Sequence, residues 1–536
     1  MVVCVFVIVA AGYKPNPALR NDGLHQQALR NAAKKVDNDN MPPPGSALSA
    51  PPQAAAVAVA LPAAMSDPVA QQAKDTAWNF PVAFWTANII ELCERAAFYA
   101  WFILVTVYLT TTVGYSDIQA GYITGCFAAL LYLLPFLAGA FADRVGYRKA
   151  LLLALLLLTV GYAGLGLFAI KHIVLLPMAL VMVGGSLVKP IITGTVARSS
   201  TPERRARAFS LFYMMVNIGS FFGKGAAEPI RKTVGLGMIP LLSSGVTAIG
   251  LVCVALLYWP TEVREPGAEG PISLSHAVTK LVRDLTQVLR SGRLMALVLI
   301  TAGFWIIQSQ MYSSMPKYVF RIVGEHASPE RYANVNPIMV MLSVVPITWL
   351  CKKLTPLTSI AIALGLIPLS ALCMAILPRL VGTSLPIHPV TLAMVMGIAL
   401  QGLSECFLSP RYLEYASRQA PPGKEALYMG YSHLNLFFSW MIGSIMSGYL
   451  LDAFCPDPKK LSVAERTVHE LALRGLGPLP SAYAHSHYLW FTFFGIGVVA
   501  FSALLTFAFL TRNRPTEAHR QDRPEVAAAR QVDEEH

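Results

Sequence analysis

Glu91, Glu94 and Arg95 place three formal charges within five residues of an otherwise apolar stretch. Apolar sequence flanks them from Phe80 to Ile90 and from Ala100 to Leu109. The segment has about 30 residues, enough for a tilted helix to cross a hydrocarbon core of about 30 Å. A charge at that depth costs roughly 3 kcal/mol or more, so such residues face a cavity, pair with one another, and mark a pathway for ions or solutes. Glu91 and Arg95 are four residues apart, share a helix face and can pair. Glu94 follows Glu91 by three residues on nearly the same face. A pair that only neutralises itself leaves the second glutamate unexplained. The chemistry these residues suit is proton exchange beside a binding site for a charged solute.

The elements that must position them are membrane helices. Of 536 residues, 55% are hydrophobic and 13% are charged, against about 25% charged in soluble proteins. The eight cysteines are scattered without CxxC spacing, which implies neither a disulfide framework nor a metal site. The net charge of +12 sits in short loops between apolar runs. There it sets membrane orientation and does not indicate a nucleic-acid partner. No glycine-rich phosphate loop is present, which excludes a P-loop ATPase. The expectation is a non-enzymatic membrane protein with no metal and no cofactor, using protons as coupling ion.

The chain divides by composition. Residues 1–76 are rich in Ala, Pro, Asn and Gln and read as a disordered extension. Residues 77–259 form a first bundle, with spans near 80–110, 117–142, 149–170, 173–197, 206–230 and 239–259. A polar linker occupies 260–293, in which 275–289 has the spacing of a short amphipathic helix. Residues 294–511 form a second bundle, with spans near 294–322, 333–351, 356–377, 389–416, 425–454 and 487–511. Residues 512–536 are a tail. Six helices plus six suggest two repeated bundles around a site at the membrane midplane. Pro135, Pro190, Pro337 and Pro410 lie inside spans, where proline permits bending. Arg144, Arg148, Lys149, Arg204, Arg205, Lys352, Lys353, Arg418 and Lys424 crowd alternate loops. That bias puts both termini in the cytoplasm of a multi-pass plasma (inner) membrane protein.

Two groups of motifs carry a family resemblance. Gly139-Ala140-Phe141-Ala142-Asp143-Arg144-Val145-Gly146-Tyr147-Arg148-Lys149 resembles the gating loop between helices 2 and 3 of the major facilitator superfamily. Its candidate residues are Gly139, Asp143, Arg144, Gly146 and Arg148. Glu91-x-x-Glu94-Arg95-x-x-x-Tyr99 is similar to the first-helix hallmark of the proton-dependent oligopeptide transporters. Lys189-Pro190, Phe212-Tyr213-x-x-Val216-Asn217-x-Gly219-Ser220, Asn336-Pro337 and Gly402-Leu403-Ser404-Glu405…Ser409-Pro410 resemble further signatures of that family. Tyr132-Leu133-Leu134-Pro135 and Phe304-Trp305…Gln310 are less specific matches. The sequence departs from the family at Ala96, Phe98, Phe102 and Ser432, where phenylalanine, tyrosine, a second arginine and a tryptophan are usual.

The resemblance implies an all-α membrane protein with twelve transmembrane helices in the major facilitator fold, importing di- and tripeptides with protons by alternating access. It assigns proton coupling to Glu91, Glu94, Arg95 and Lys189. It assigns substrate binding to Arg95, Tyr99, Tyr132, Lys189, Asn217, Gln310, Asn336 and Glu405. With Glu91, Glu94, Arg95, Lys189 and Glu405 facing one cavity, the formal sum is two positive against three negative, or minus one, which a single proton neutralises. Arg95 and Lys189 can receive a carboxylate, Glu405 an ammonium, and the asparagines a peptide bond. His433 is a candidate relay. Lys224 and Glu228, four residues apart, read as a local ion pair. The expected partners are a small peptide and the lipid bilayer, with the chain acting as a monomer. The rival readings are the same machine carrying nitrate or another small organic anion, and a peptide sensor that does not transport.

Overall fold

The computed structural model describes residues 80–259, part of 279–290, and residues 291–382, 386–419 and 431–511. The extension 1–76, residues 260–278 of the linker and the tail 512–536 lie outside the described residues, and the described positions of the stretch 275–289 are helical. Every element among the described residues is helical. The first bundle comprises α1 (Val82–Phe102), α2 (Asp117–Leu133, continued by Pro135–Val145), α3 (Tyr147–Leu167), α4 (Leu175–Arg198), α5 (Pro202–Thr233) and α6 (Ile239–Leu257). The second comprises α7 (Gly292–Ser313, continued by Met315–Ile322), α8 (Val335–Leu350, preceded by a turn of helix at Pro329–Ala333) and α9 (Pro356–Val381). It is completed by α10 (Pro389–Arg418), α11 (Leu434–Phe454) and α12 (Tyr488–Thr511).

Ten of the described helical segments are long and apolar enough to cross a bilayer. An eleventh results if α1 and its continuation Val105–Thr112, bent by 45° between them, count as one span. The twelfth, α5, is the longest at 32 residues. Arg204, Arg205, Arg207, Lys224, Glu228, Arg231 and Lys232 keep it from qualifying on apolarity. One of the four expected proline sites breaks a rod. Pro135 separates the two parts of α2, and Pro337 falls in the first turn of α8, where its missing N–H costs no helical bond. Pro190 and Pro410 lie within continuous α4 and α10.

The end carrying the α2–α3 turn is termed inner, following the basic-loop expectation, and the other outer. At the inner turn Gly146 has φ +93°, a left-handed conformation that glycine adopts without a Cβ penalty. At the outer end Ser116 caps α2 through a reciprocal capping box with Gln119, which satisfies two otherwise orphaned backbone donors.

The outer end is sealed between the two bundles. Asp117, at the first turn of α2, accepts hydrogen bonds from Lys317 Nζ at 2.8 Å and Arg321 Nη2 at 2.9 Å on the continuation of α7. Arg231 on α5 donates to Glu330 at 2.5 Å and to the carbonyls of Glu325 and Ala327. Between these ion pairs α2 and α11 touch backbone to backbone. A Cβ at Gly121 would lie 2.6 Å from the carbonyl oxygen of Ser444, and one at Gly448 2.7 Å from that of Asp117. Small residues are what permit helices to come so close. At the inner end the bundles meet where Phe136 stacks on Tyr431, with ring centres 4.6 Å apart.

Candidate functional site

The helix-1 charges form a bonded cluster. Arg95 Nε lies 2.5 Å from Glu94 Oε2 and 3.6 Å from Glu91 Oε1. Both carboxylates are 1% exposed, so one guanidinium serves two buried acids. Glu91 Oε2 and Glu94 Oε1 find no donor among the described protein groups. The helix that closes over the cluster is α5. A Cβ at Gly219 would lie 2.9 Å from Arg95 Cβ, and one at Gly223 2.2 Å from the Ala96 carbonyl oxygen. The glycine in the Phe212–Ser220 motif therefore has a packing reason: it lets α5 lie directly on the charged turn of α1.

Lys189 does not complete this cluster. Its side chain on α4 is exposed and makes no ion pair among the described residues, although Glu91, Glu94 and Arg95 act on it electrostatically. A static Lys189–Glu94 pair is therefore not what this conformation contains.

A cavity of about 110 Å³ lies between the bundles, walled by Phe98, Tyr99, Phe102, Tyr132, Trp305, Gln308, Tyr312, Asn336, Glu405 and Trp440 among others. On the same measure one water needs about 10–15 Å³, so the space suits a small solute. Arg95 adjoins it. The guanidinium carbon is 5.1 Å from the Phe98 ring centre and 5.9 Å from that of Tyr99, within the range of cation–π attraction. Across the cavity Glu405 Oε2 accepts hydrogen bonds from Gln308 Nε2 at 3.1 Å and Asn336 Nδ2 at 3.3 Å. The cavity thus has a cationic approach on the first bundle and an oriented carboxylate on the second, joined by aromatic faces.

The sequence-derived residues divide accordingly. Tyr99, Tyr132, Asn336 and Glu405 are brought together at the cavity. Asn217 instead donates to the carbonyl of Tyr213 on its own helix at 2.9 Å. Gln310 is fully buried away from the cavity and donates to the carbonyls of Ile306 and Gly443. The glutamine that reaches the cavity is Gln308. Helical spacing carries the signal: Trp305, Gln308, Ser309 and Tyr312 share one face of α7, and Gln310 lies off it. Phe102, at the position of the expected second arginine, packs on Tyr312 and Trp440 with ring centres 5.4 and 5.2 Å away. The tryptophan missing at Ser432 has no substitute there, but Trp440, two turns further along α11, lines the cavity. His433 precedes α11 as its N-cap residue.

The expected Lys224–Glu228 pair does not form. Glu228 accepts from Lys232 at 2.7 Å, from Ser328 at 2.7 Å and from Arg331. Lys224, with none of its surface exposed, donates to the Ala333 carbonyl at 3.1 Å. Both side chains have partners in the second bundle, which outcompete the intrahelical contact.

In the α2–α3 turn, Arg148 Nη2 donates to the Ala255 carbonyl near the C-terminus of α6 at 2.8 Å and lies over the Trp259 ring. Asp143 faces Arg198 on α4 at 3.6 Å, a contact the sequence did not single out. Both partners are half exposed, so the pair contributes little energy by itself. Gly139 would tolerate a Cβ without any contact within 4 Å, and Arg144 is exposed.

Comparison with known proteins adds three findings. The family model described as Major Facilitator Superfamily matches residues 88–385. Dipeptide and tripeptide permease A of Escherichia coli is 25% identical over 70% of this chain and 85% of its own length. Dipeptide and tripeptide permease B of Photorhabdus asymbiotica is 31% identical over 39% of this chain. That match spans 44% of the Photorhabdus protein, and a like-named protein of Xenorhabdus bovienii is spanned over 37%. Among solved structures, one described under substrate recognition in proton dependent oligopeptide transporters aligns with TM-score 0.61 at 20% identity, covering 80% of this chain and 99% of that one. A POT family transporter in complex with 5-aminolevulinic acid aligns with TM-score 0.62 at 19% identity, covering 81% and 96%. At these identities the likeness concerns the fold.

Proposed function

The chain belongs to the major facilitator superfamily, and from that premise we propose that it is a proton-coupled symporter importing di- and tripeptides across the inner membrane, with both termini cytoplasmic. One observation carries the reading: Glu405 lines the cavity on the second bundle, and on the first Arg95 stands against the Phe98 and Tyr99 rings that line it. Two extended residues span roughly 7 Å and three roughly 10 Å, so a short peptide can engage both bundles at once. Its carboxylate then faces Arg95 and, once it swings in, Lys189. Its ammonium faces Glu405. A nitrate or other small anion gains nothing from an oriented carboxylate. The relatives named as dipeptide and tripeptide permeases support the same cargo.

Proton coupling rests on the α1 cluster. Two buried carboxylates share one guanidinium, and Lys189 stands off. The second acid is neutralised either by a proton or by Lys189 moving in. These alternatives exclude each other, which ties proton occupancy to the position of α4. The ion pairs and glycine contacts at the outer end hold that side shut in this conformation. Alternating access then consists of one bundle rocking on the other about the cavity. Glu91→Gln and Glu94→Gln remove the proton site without removing Arg95. Each variant is expected to retain exchange of labelled for unlabelled peptide while losing accumulation driven by a pH gradient. Parallel loss of both modes would assign these acids to folding instead.

A further inference from the structure

The loop between α11 and α12 carries its own folded piece at the outer end. A helix at Val463–Leu473 opens on a reciprocal capping box between Ser462 and Glu465. Arg466 ties it to the preceding turn through the carbonyls of Pro458, Lys459 and Leu461. From this helix His469 turns inward and is buried. Its Nε2 donates to the backbone carbonyl of Arg321 at 2.7 Å. Arg321 is the penultimate residue of the α7 continuation Met315–Ile322, so this carbonyl is among the last four of a helical segment, which have no intrahelical partner. The His469 ring lies 4.9 Å from that of Tyr483, whose hydroxyl donates to the Pro456 carbonyl at 3.0 Å. The loop also holds the Arg321 side chain. Nη1 donates to the Cys455 carbonyl at 2.5 Å, and Nη2 lies 3.7 Å from Asp457 Oδ2. All these contacts are within the second bundle. The same Nη2 then reaches across to Asp117 of the first bundle at 2.9 Å.

We propose that His469 is a positioning residue for closure of the outer side: by fixing the backbone of Arg321, it makes the α11–α12 loop a strap that presents the guanidinium to Asp117. This rests on the alternating-access reading and adds an element to it. An arginine near the end of an eight-residue segment would otherwise lose backbone and side-chain freedom each time the bundles meet. The strap imposes that order beforehand, inside one bundle, so closure costs less. It therefore stabilises the outer-closed form over the outward-open one without touching the cavity. Removing the His469 donor shifts the population toward the outward-open form. More of the protein is then competent to take external peptide, so KM falls. The closing step that follows is less favourable, so Vmax falls with it. Loss of folded protein lowers Vmax alone.

The test measures KM and Vmax for labelled dialanine in cells expressing the full-length chain as wild type, His469→Phe, His469→Gln, Asp117→Asn and Asp117→Asn/His469→Phe. His469→Phe keeps a ring against Tyr483 and removes the donor, and His469→Gln keeps an N–H donor. Alongside, Cys455, buried next to Arg321, is exposed to a membrane-impermeant maleimide from outside, and its labelling is read by peptide mass. His469→Phe is expected to lower KM and Vmax together by about three- to tenfold, the scale of one net hydrogen bond, and to speed labelling of Cys455. His469→Gln should restore all three. Asp117→Asn should shift KM the same way, and the double variant should go no further, because His469 acts through that contact. Additive shifts in the double variant, or a lowered Vmax at unchanged KM, overturn the inference. Failure of His469→Phe to reach the membrane, with His469→Gln normal, assigns His469 to folding and also overturns it. If wild type takes up no peptide, the cargo reading fails while Cys455 still decides the strap: faster labelling in His469→Phe supports it and equal rates overturn it.

Discussion

Arg95→Ala abolishes peptide binding and proton-driven uptake, the largest loss expected from any single cavity substitution. Two carboxylates that are 1% exposed depend on this guanidinium. Removing one partner of a buried ion pair costs about 3–5 kcal/mol, because the other is left uncompensated. Here two acids lose their shared partner at once. On the proposed reading, the carboxylate end of the peptide also loses its receptor. Arg95→Lys is expected to recover part of the function only. An ammonium is a point charge and cannot bridge two acids as a planar guanidinium does. Binding and uptake are measured separately from membrane insertion, and normal transport by inserted Arg95→Ala protein would remove the cluster from the mechanism.

Glu405→Gln weakens free dialanine by about 1.5–3 kcal/mol, the scale of a hydrogen bond to a charged group. That corresponds to roughly ten- to hundredfold in affinity. The substitution preserves size and leaves a carbonyl oxygen for Gln308 and Asn336, so the effect isolates charge. N-acetyl-dialanine lacks the ammonium, binds poorly at the outset and loses little more. A carrier of nitrate or small organic anions behaves oppositely, since the change deletes a repulsive charge. Competition by dialanine, N-acetyl-dialanine and nitrate in wild type and Glu405→Gln separates these outcomes.

The helices were legible because the bilayer demands apolar runs of fixed length, and the spans near 117–142 and 389–416 reappear as α2 and α10 with small shifts. Glu91, Glu94 and Arg95 were legible as a cluster because helical spacing alone puts them on one face. What depended on the contact between bundles was not. Gln310 matched a motif position, yet the face of α7 that meets the cavity carries Gln308. Asn217 was placed by motif in the cavity, and its amide turns back on Tyr213. Asp117 was not singled out in the sequence, and only the fold brings Lys317 and Arg321 to it from 200 and 204 positions away. Lys224 illustrates the same point energetically. Its local partner Glu228 was evident, but partners from the second bundle take both. The charge sum of minus one likewise changes once this lysine is counted, and the unbalanced acid is then in the α1 cluster, where Lys189 stands apart from Glu91 and Glu94.

The central claim is that a proton gradient drives a small peptide inward through this cavity. Purified protein in liposomes, given labelled dialanine with the lumen alkaline relative to the medium, tests it directly. Accumulation above the external concentration, collapsing when a protonophore is added, is the predicted result. Equilibration to equal concentrations whether or not a pH gradient is imposed, or no uptake at all, would contradict the account.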